Sequence, residues 1–522
     1  MCKKQGGVGI VHIGLTTSPV KASSISEKQQ NPLLFIDLNN FAAYPTLAVG
    51  YLIRSLRLNN YRVDLLSPLA LGIPAFSRDD RETWKDQLLR RIYFSSHPVL
   101  RYLHDYLRNA YSNRLSRPHP LMIKEVHQAI AKNPPAILIS AYLTQYAMCV
   151  EIGRIAKSVG IPVLLGGPFF NLKKVTKEWL SIEGVTAIVG AEVDFTLSDI
   201  VTTLLHNGDL SQHAGVFLLD NSLLHNLHGR MAEPLKQLDQ LPVPDFTDFP
   251  WHKYPHPIIP IMTGRGCSWG ACTFCGDVIS ANGRTFRSRG IQPVLNELKQ
   301  QSKTHRSKDF IFLDIKLNSD LQVWNGLINH FQDYVPDGRW IGTVHVNHQG
   351  DNGLSSERLI AAKKAGLTRI SFGLESASQR LLDEMKKGTR IEECSDFILA
   401  AYNAGISVRT SMMLGFPGET ADDLEQTTLF LKQHFYALDR VRLSLFKPLP
   451  DTPFDRMYQR NPEKYSNLKQ FKWDYKLARG LYRYHPSRKK AYRQAKRELL
   501  KIVYEINKKA LNDDAKQFNG MM

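Results

Sequence analysis

Three cysteines lie within nine residues of one another, in the run from Gly264 to Gly276. Cys267, Cys272 and Cys275 form the one stretch of this 522-residue chain that concentrates thiols, since the chain holds six cysteines in all. Three soft thiolates at this spacing can bind one face of a compact soft-metal centre and leave one position of it open. A closed zinc site normally brings a second pair of Cys or His ligands, and the other cysteines occur singly. The residues therefore favour an iron–sulfur loop with one open iron over a zinc site or a merely buried loop.

The cysteine run is followed by alternating strand and helix patterns. Apolar runs typical of buried strands occur at 310–313, 340–346, 369–372, 408–414 and 441–446, with helical patterns between them at 357–365 and 392–403. This alternation predicts a parallel sheet with right-handed crossovers. Functional sites of such sheets gather at the carboxyl ends of the strands, where the candidate motifs of this region fall.

A separate α/β pattern precedes the cysteines. Its strand-like runs occur at 33–37, 61–66, 136–140, 162–168 and 187–192, and helical stretches alternate with them. The pattern predicts a doubly wound, Rossmann-like sheet.

The cysteine triplet resembles the cluster loop of the radical S-adenosylmethionine (SAM) superfamily. That family spaces its cysteines by three residues and then two, whereas here Ser268 to Ala271 give a spacing of four and then two. A glycine in the longer loop, Gly270, can absorb the extra residue. The resemblance implies that the three cysteines hold a [4Fe–4S] cluster and that SAM chelates its fourth iron. It also places Phe274 near the adenine of SAM.

Two further motifs follow strands and resemble SAM-binding elements of the same family. They are the run from Gly373 to Ser376 and the run from Gly415 to Thr420, with the loop from Met385 to Gly388 between them. The resemblance implies SAM contacts from Phe274, Gly373, Glu375, Ser376, Met413, Gly415 and Gly418. The second run also predicts a helix capping box, Thr420 with Asp423. Asp314 stands where relatives often carry paired acids, but the run here is Asp-Ile-Lys, and His345 and His348 are expected in core or surface roles.

Loops of the N-terminal pattern resemble the cofactor-facing loops of cobalamin-binding domains fused in front of radical SAM barrels. The implied cobalamin contacts are Ser140, Thr144, Gly166, Gly167, Gly190 and Glu192. A flavodoxin-like domain whose glycines serve only as turns is the alternative. Residues 1–200 lack the Asp-x-His-x-x-Gly run of cobalamin mutases, so the resemblance implies cobalt without a lower histidine ligand.

These patterns predict an α/β protein with a Rossmann-like domain, a partial (β/α)6 barrel and a helical basic C-terminal region, and the resemblance implies that the first domain binds cobalamin and that the barrel is of the radical SAM type. The expected boundaries are 1–30 for an N-terminal extension, 31–205 for the cobalamin-binding domain, 206–250 for a proline-rich linker, 251–455 for the barrel and 456–522 for the C-terminal region.

The resemblance implies a cobalamin-dependent radical SAM methyltransferase that acts on an unactivated carbon, or less often phosphorus, of a peptide or specialised metabolite. A cobalamin-using cyclase, rearrangement or oxidation enzyme stays open as an alternative. A second alternative is a non-catalytic nucleic-acid-binding or peptide-binding protein on the same scaffold. A flavodoxin or ferredoxin is the implied electron donor, and the catalytic residues stay unassigned.

Charge and composition set further bounds. The net charge is +18, and residues 464–509 contribute fifteen Lys or Arg against three acidic residues. A basic segment with interleaved aromatics can attract an acidic peptide, a phosphorylated substrate or nucleic acid, but we favour a solvated helical face that covers the barrel and expect no nucleic-acid partner. No apolar stretch is long enough to span a bilayer, no secretory pattern is present, and free thiolates require a reducing compartment, so we expect a cytoplasmic protein.

Overall fold

The structure is a computed structural model that describes residues 31–39, 43–73, 81–97, 99–115, 117–219, 227–276, 286–348, 350 and 352–521. The predicted N-terminal extension, residues 1–30, lies outside the described residues. Among those that are described, no helix combines the length and apolar character needed to cross a membrane.

The N-terminal half is built on one sheet of seven strands within the described residues. In spatial order they are β2, β1, β3, β4, β5, β6 and β7, of which the first five are parallel and the last two antiparallel. The strands are β1 (Leu33–Asp37), β2 (Val63–Leu66), β3 (Ile137–Ser140), β4 (Val163–Gly166), β5 (Val185–Val189), β6 (Val216–Leu219) and β7 (Leu227–His228). The helices are α1 (Leu47–Leu58), α2 (Trp84–Tyr93), α3 (Arg101–Leu115), α4 (Pro120–Ile130), α5 (Tyr146–Ser158), α6 (Lys173–Leu180) and α7 (Leu197–Leu205).

Both faces of this sheet are covered by helices. Leu33 and Phe35 of β1 pack in one apolar cluster with α1 and α7, whereas Leu34 and Ile36 pack in another with α4, α5 and α6. Successive residues of a strand point to opposite faces, so a strand that is apolar throughout requires a layer on each side. The doubly wound prediction is confirmed.

Residues 206–250 do more than link two domains. The segment begins with β6 and β7, which extend the first sheet as antiparallel strands at the edge after β5. Its prolines lie farther on, where Phe246 fits against Gly50 of α1. Because the segment is rich in proline, we predicted a linker there and no strand. The short apolar run 216–219 is nevertheless long enough to form an edge strand.

The second sheet is the partial (β/α)6 barrel that the sequence predicted. Six parallel strands of the described residues lie in the order β8, β11, β12, β13, β14, β15. They are β8 (Ile258–Ile261), β11 (Asp309–Phe312), β12 (Arg339–Val344), β13 (Leu367–Glu375), β14 (Ser407–Leu414) and β15 (Leu438–Leu445), and a short antiparallel pair, β9 (Gly264–Arg265) and β10 (Arg287–Ser288), follows β8. The helices are α8 (Ile291–His305), α9 (Leu321–Tyr334), α10 (Ser356–Lys364), α11 (Gln379–Glu384), α12 (Ile391–Asn403) and α13 (Ala421–Gln433).

The end of the barrel opposite the cysteine loop is closed by the last residues of the chain. Phe518 and Met521 pack among isoleucines of β8, β11 and β12. Their carbonyl oxygens accept hydrogen bonds from the buried guanidinium groups of Arg369 (2.7 and 2.9 Å) and Arg409 (3.1 Å, to Met521). The carboxyl ends of the strands are therefore the end at which ligands can be held.

The C-terminal region is not wholly helical. After α14 (Pro453–Arg460) comes an antiparallel hairpin of β16 (Leu468–Asp474) and β17 (Arg479–Tyr484), and α15 (Lys490–Asn507) follows. The high density of Lys and Arg obscured the alternation of side chains in the two strands. α15 buries Leu499 and Val503 against α13 and β15, as expected for a helix that covers the barrel, and the tip of the hairpin accepts a hydrogen bond from Trp179 at the carbonyl of Lys476 (2.9 Å).

Candidate cluster and SAM site

The cysteine loop begins directly after β8 and β9, at the carboxyl end of the barrel. Its start is held by Asp314, which follows β11. The Asp314 carboxylate accepts hydrogen bonds from the backbone N–H groups of Thr263 (3.0 Å) and Gly264 (2.8 Å), and from the Thr263 hydroxyl (2.7 Å). Burial raises the pKa of Asp314 to about 6, against these hydrogen bonds, which lower it. Asp314 thus fixes the start of the cysteine loop relative to β11.

The loop from Met385 to Gly388 anchors the cysteine loop from the side. The backbone N–H of Thr273 donates to the carbonyl of Met385 (2.9 Å), and the indole N–H of Trp269 donates to the carbonyl of Lys386 (2.9 Å). Gly388 has φ +67°, and a Cβ atom there would overlap the Trp269 ring. Trp269 is one of the four residues between Cys267 and Cys272. Its contacts with Lys386 and Gly388 therefore hold the cysteine loop in place. The sequence alone did not lead us to predict this contact. Gly388, the glycine of the loop from Met385 to Gly388, was the one signal that a side chain packs closely there.

His345 and His348 support the same anchor. The His345 ring stacks on Trp269, with 5.9 Å between ring centroids, and its Nε2 lies 2.9 Å from the carbonyl oxygen of Lys387. His348 places Nδ1 2.9 Å from the carbonyl oxygen of Gly388. Burial, together with neighbouring lysines, lowers the pKa of His345 to about 3, so the ring is neutral. The expectation of a core role fits this geometry.

The three thiols share their surroundings with a buried ammonium group. Burial opposes the charge of Lys387, yet Glu375 and the three cysteines raise its pKa above the ordinary value, and the Lys387 Nζ lies 3.6 Å from the Glu375 carboxylate. Burial raises the pKa of the Cys272 thiol, an effect that Lys387 opposes. A buried positive charge requires compensating negative charge. Glu375 supplies part of it and thiolate ligands of an iron–sulfur cluster would add to it, so the donor set and its electrostatic setting fit that group.

The described part of the chain holds no group of three His, Cys, Asp or Glu side chains gathered closely enough to ligate one metal ion. The thiolates of a cubic [4Fe–4S] cluster each bind a different iron, so they need not converge on one point.

The end of β13 brings Glu375 to the same place. The strand bulges between Gly373 and Glu375, and Glu375 has φ +63°, in the left-handed region that residues other than glycine seldom occupy. A Cβ atom on Gly373 would overlap the Glu375 carboxylate and lie 2.9 Å from Lys387 Nζ. The glycine is thus required by the Glu375–Lys387 pair. Ser376, in contrast, is buried beside α13, where its Oγ accepts the backbone N–H of Ser378 (3.1 Å).

Two of the remaining predicted SAM contacts lie on one apolar wall. Phe274 and Met413 pack in the same cluster beside Phe416 and Phe446. Gly415 (φ +78°) and Gly418 (φ +94°) have backbone conformations that favour glycine, and a Cβ atom on Gly415 would meet only the Tyr482 hydroxyl, at 3.9 Å. The backbone of Gly415 thus faces open space, whereas a Cβ atom on Gly418 would lie 2.9 Å from the Glu384 carboxylate.

Glu419 holds this turn in place. Its buried carboxylate accepts the backbone N–H of Gly415 (2.8 Å) and the hydroxyl of Tyr492. The predicted capping box of α13 is present, because Thr420 and Asp423 each bind the other's backbone N–H (2.7 and 3.4 Å). The backbone of the turn is thus fixed from both sides.

We expect the Glu419→Gln substitution to change the pH dependence of stability. Burial raises the pKa of Glu419 from 4.5 to about 7, although its hydrogen bonds lower it. Between these two values the folded state binds the proton more tightly than the unfolded state, so the free energy of unfolding falls as pH rises. The glutamine variant should gain about 3 kcal/mol on wild type between pH 4.5 and 8. Urea unfolding across this range measures the difference, and a difference that does not vary with pH contradicts the expectation.

Of the three predicted cobalamin-facing glycines, two are required by packing of the protein alone. A Cβ atom on Gly167 (φ +152°) would overlap the carbonyl of Ala141, and one on Gly190 would overlap the carbonyl of Phe170. Gly166 differs, since its nearest neighbours would be 3.8 Å away. It lies at the carboxyl end of β4 beside Ser140 at the end of β3, with Thr144 exposed on the following turn.

Glu192, a predicted cobalamin contact, forms ion pairs within the protein. Its carboxylate pairs with Arg287 (2.5 Å) and lies 3.5 Å from Arg265, and it accepts the backbone N–H of Leu235 (2.7 Å). Arg265 also binds Asp194 (2.8 Å). The two arginines belong to β9 and β10 of the barrel, so Glu192 joins the two sheets. This ion-pair network is the reason that we leave Glu192 out of the proposed cobalamin site.

The carboxyl edge of the first sheet faces the cysteine loop. Phe169, in the loop after β4, packs in one apolar cluster with Cys275, and a Cβ atom on Gly276 would lie 3.4 Å from its ring. Phe169 itself has φ +76°, an uncommon conformation for an aromatic residue. The loops that end β3 and β4 thus approach the candidate cluster directly.

Comparison with known proteins gives a family match for the region that contains this site. Residues 261–431 match the family model of the Radical SAM superfamily. The match covers most of the barrel and identifies a radical SAM domain there, and such a domain implies a [4Fe–4S] cluster and SAM.

Two curated relatives cover much of the chain. An uncharacterized methyltransferase of Pyrococcus horikoshii, PH0819, is 25% identical over 340 residues, which are 64% of this chain and 71% of the relative. An anaerobic magnesium-protoporphyrin IX monomethyl ester cyclase of Rubrivivax gelatinosus is 26% identical over 336 residues, 60% of this chain and 55% of the relative.

Two solved structures share the two-sheet fold. The cobalamin-dependent SAM radical enzyme OxsB, with aqua-cobalamin and SAM bound, aligns with a TM-score of 0.65 at 16% identity over 87% of this chain and 65% of its own. The radical SAM methyltransferase TsrM from Kitasatospora setae, with cobalamin and a [4Fe–4S] cluster bound, aligns with a TM-score of 0.57 at 16% identity over 81% of this chain and 77% of its own. The chain thus has the fold of cobalamin-dependent radical SAM enzymes.

Proposed function

We propose that the chain is a cobalamin-dependent radical SAM methyltransferase whose substrate is an unactivated carbon, or less readily phosphorus, of a peptide or specialised metabolite. The observation that supports this most directly is the approach of the β4 loop to the cluster loop, through Phe169, Cys275 and Gly276. A methyl donor held at the first sheet would then lie beside SAM held in the barrel. The methyltransferase name of one relative and the cobalamin of two structural neighbours point the same way.

Each cofactor has residues in this chain that suit it. Cys267, Cys272 and Cys275 would hold the cluster; Glu375 and the backbone at Gly415 would hold SAM. Gly166, Ser140 and Thr144 would border the corrin. When bound, the cluster and SAM supply hydrogen abstraction from a strong bond and cobalamin supplies a methyl group, whereas the protein positions these groups and excludes water.

The reaction products test the proposal. A methyltransferase of this kind releases both 5′-deoxyadenosine and S-adenosylhomocysteine, so reduced, reconstituted protein with substrate should form both. The reductant would be a flavodoxin or ferredoxin, for which a chemical reductant can substitute in the assay.

A cyclase or other radical catalyst is the second candidate, favoured by the cyclase name of the Rubrivivax relative. Such an enzyme forms 5′-deoxyadenosine without S-adenosylhomocysteine. That outcome would retain the radical SAM assignment and overturn methyl transfer.

We expect the reconstituted protein to bind about one corrinoid per chain, because one sheet edge faces the cluster loop. A Gly166→Leu substitution should prevent this, since a side chain can enter the open space above the strand end without overlapping backbone. The visible spectrum measures bound corrinoid after gel filtration. Iron content provides the control and should be unchanged in the variant; full corrinoid binding by Gly166→Leu would contradict the placement.

A further inference from the structure

A cavity of about 740 Å³ lies outside the barrel strands. Its walls come from the ends of β14 and β15, the β16–β17 hairpin, α15, and the chain around the end of α2 and the start of α3. Leu445 of β15, on the wall, packs in the apolar cluster that contains α13 and α15 residues. Gly415 of the proposed SAM site also lies on the wall, so the cavity borders that site, whereas Glu375 and the three cysteines do not line it. Its volume is in the range of small-molecule sites.

The lining of this cavity is strongly cationic. Six of its side chains carry positive charge, and the single carboxylate, Asp105, pairs with one of them. The six are Arg108, Lys447, Lys469, Arg483, Arg488 and Lys496. Within the described ranges, Lys447, Lys469, Arg483 and Arg488 have no carboxylate at ion-pair distance. The buried Glu419 acts electrostatically on Lys496, so the described groups compensate the positive charge of the cavity only in part.

Two of the cations are placed against each other. Lys469 of β16 lies directly opposite Arg483 of β17 in the antiparallel register. Like charges at directly opposed positions destabilise a strand pair, and a two-stranded hairpin is only marginally stable by itself. A bound anion between the two side chains would attract both of them and so offset their mutual repulsion.

A third cation of the cavity, Lys496, lies on α15. Lys496 of α15 is 9% exposed, and its ammonium donates to the carbonyl of Phe94 and the hydroxyl of Ser96, each at 2.8 Å. An ammonium has three donors, so these two bonds leave one for a ligand. Aromatic side chains complete the wall, among them Tyr93 and Tyr482.

We propose that this cavity binds a small organic molecule through a phosphate group. Several converging cations suit a dianion better than a single carboxylate, and guanidinium groups bind phosphate oxygens in pairs. The aromatic and apolar wall would contact the rest of the molecule. The cavity also borders the SAM-site turn, since the Tyr482 hydroxyl donates to the carbonyls of Phe446 (2.8 Å) and Gly415 (3.4 Å). The site does not depend on which reaction the enzyme catalyses.

The test compares two variants that lose the same charge. Lys469→Gln/Arg483→Gln removes the opposed pair, and Lys124→Gln/Lys132→Gln removes two exposed cations of the N-terminal domain. Calorimetric titration of the anaerobically reconstituted proteins with inorganic pyrophosphate should show binding to wild type and to the Lys124/Lys132 variant. The dissociation constant of the Lys469/Arg483 variant should rise about ten-fold or more.

Thermal unfolding adds a readout that a merely structural role would not give. Without pyrophosphate the Lys469/Arg483 variant should unfold at a higher temperature than wild type, because the repulsion is gone. With pyrophosphate the order should reverse. Citrate, which carries carboxylates, should bind wild type more weakly than pyrophosphate does.

Three results would overturn the proposal: no pyrophosphate binding to wild type, equal binding by the Lys469/Arg483 variant, or equal losses in both double variants. Tighter binding of a single-stranded oligonucleotide that the Lys469/Arg483 substitution leaves unchanged would also overturn it, in favour of a general basic surface. Matching iron content shows that each variant has folded.

Discussion

Replacing any one of Cys267, Cys272 and Cys275 with alanine is expected to abolish cluster assembly and SAM cleavage. Each thiolate of a [4Fe–4S] cluster binds its own iron, and the other described cysteines, Cys149 and Cys394, are buried within helices. Iron should fall from about four per chain to background, and 5′-deoxyadenosine should fall by about a thousand-fold or more. Iron and sulfide analysis, electron paramagnetic resonance of the reduced protein, and product chromatography measure these quantities.

Cys149→Ala and Cys394→Ala are matched controls for this experiment. Both thiols are buried in helices, α5 and α12, and burial raises the pKa of each. A buried neutral thiol acts as a small apolar side chain, so these variants should retain full iron with a modest loss of stability. A loop variant that keeps both its iron and its deoxyadenosine production would remove the basis of the assigned site.

The sequence predicted most parallel strands of both sheets, β8 excepted, because buried parallel strands are continuous apolar runs. The run 408–414 became β14 (Ser407–Leu414), and 33–37 became β1 (Leu33–Asp37). Strands with one solvent-exposed face were harder to recognise from the sequence. The β16–β17 hairpin carries Lys and Arg on its exposed positions, and composition therefore suggested a helix. The edge strand β6 was masked in the same way by the prolines that follow it.

Some parts of the candidate site could be predicted from local sequence patterns and others could not. Local spacing identified the three cysteines, and strand-end glycines identified Gly373 and Gly415. Contacts between distant segments were not visible, since no period in the sequence links Lys387 to the thiols or Trp269 to Gly388.

Small residues at the cobalamin edge show a related limit of sequence reasoning. Gly167 and Gly190 were predicted to border cobalamin, and packing gives each a second reason to be glycine, since a Cβ atom there would overlap a backbone carbonyl. A glycine pattern shows that something approaches closely, and only the packing shows what. Gly166, whose surroundings stay open, is therefore the informative position for corrinoid binding.

The second large effect is expected at Gly388, far in sequence from the cysteines. A Cβ atom there would overlap the Trp269 ring, whose indole N–H binds the carbonyl of Lys386. Gly388→Ala should therefore displace Trp269 and release the segment between Cys267 and Cys272. We expect iron incorporation to fall at least about five-fold, because the thiolates lose the fixed positions that cluster assembly requires. Iron content and deoxyadenosine formation after identical reconstitution measure the loss.

Gly405→Ala separates this contact from backbone strain. Gly405 has φ +77°, close to the +67° of Gly388, but a Cβ atom on it would meet only the far end of Lys363, at 3.7 Å. Both variants should lose about 1 kcal/mol of stability from the left-handed backbone, whereas only Gly388→Ala should lose iron. A double-mutant cycle completes the argument: once Trp269→Ala has removed the ring, adding Gly388→Ala should cost little further iron. Equal iron losses at Gly388 and Gly405, or fully additive losses in the cycle, would show that the Trp269 contact does not hold the cluster loop.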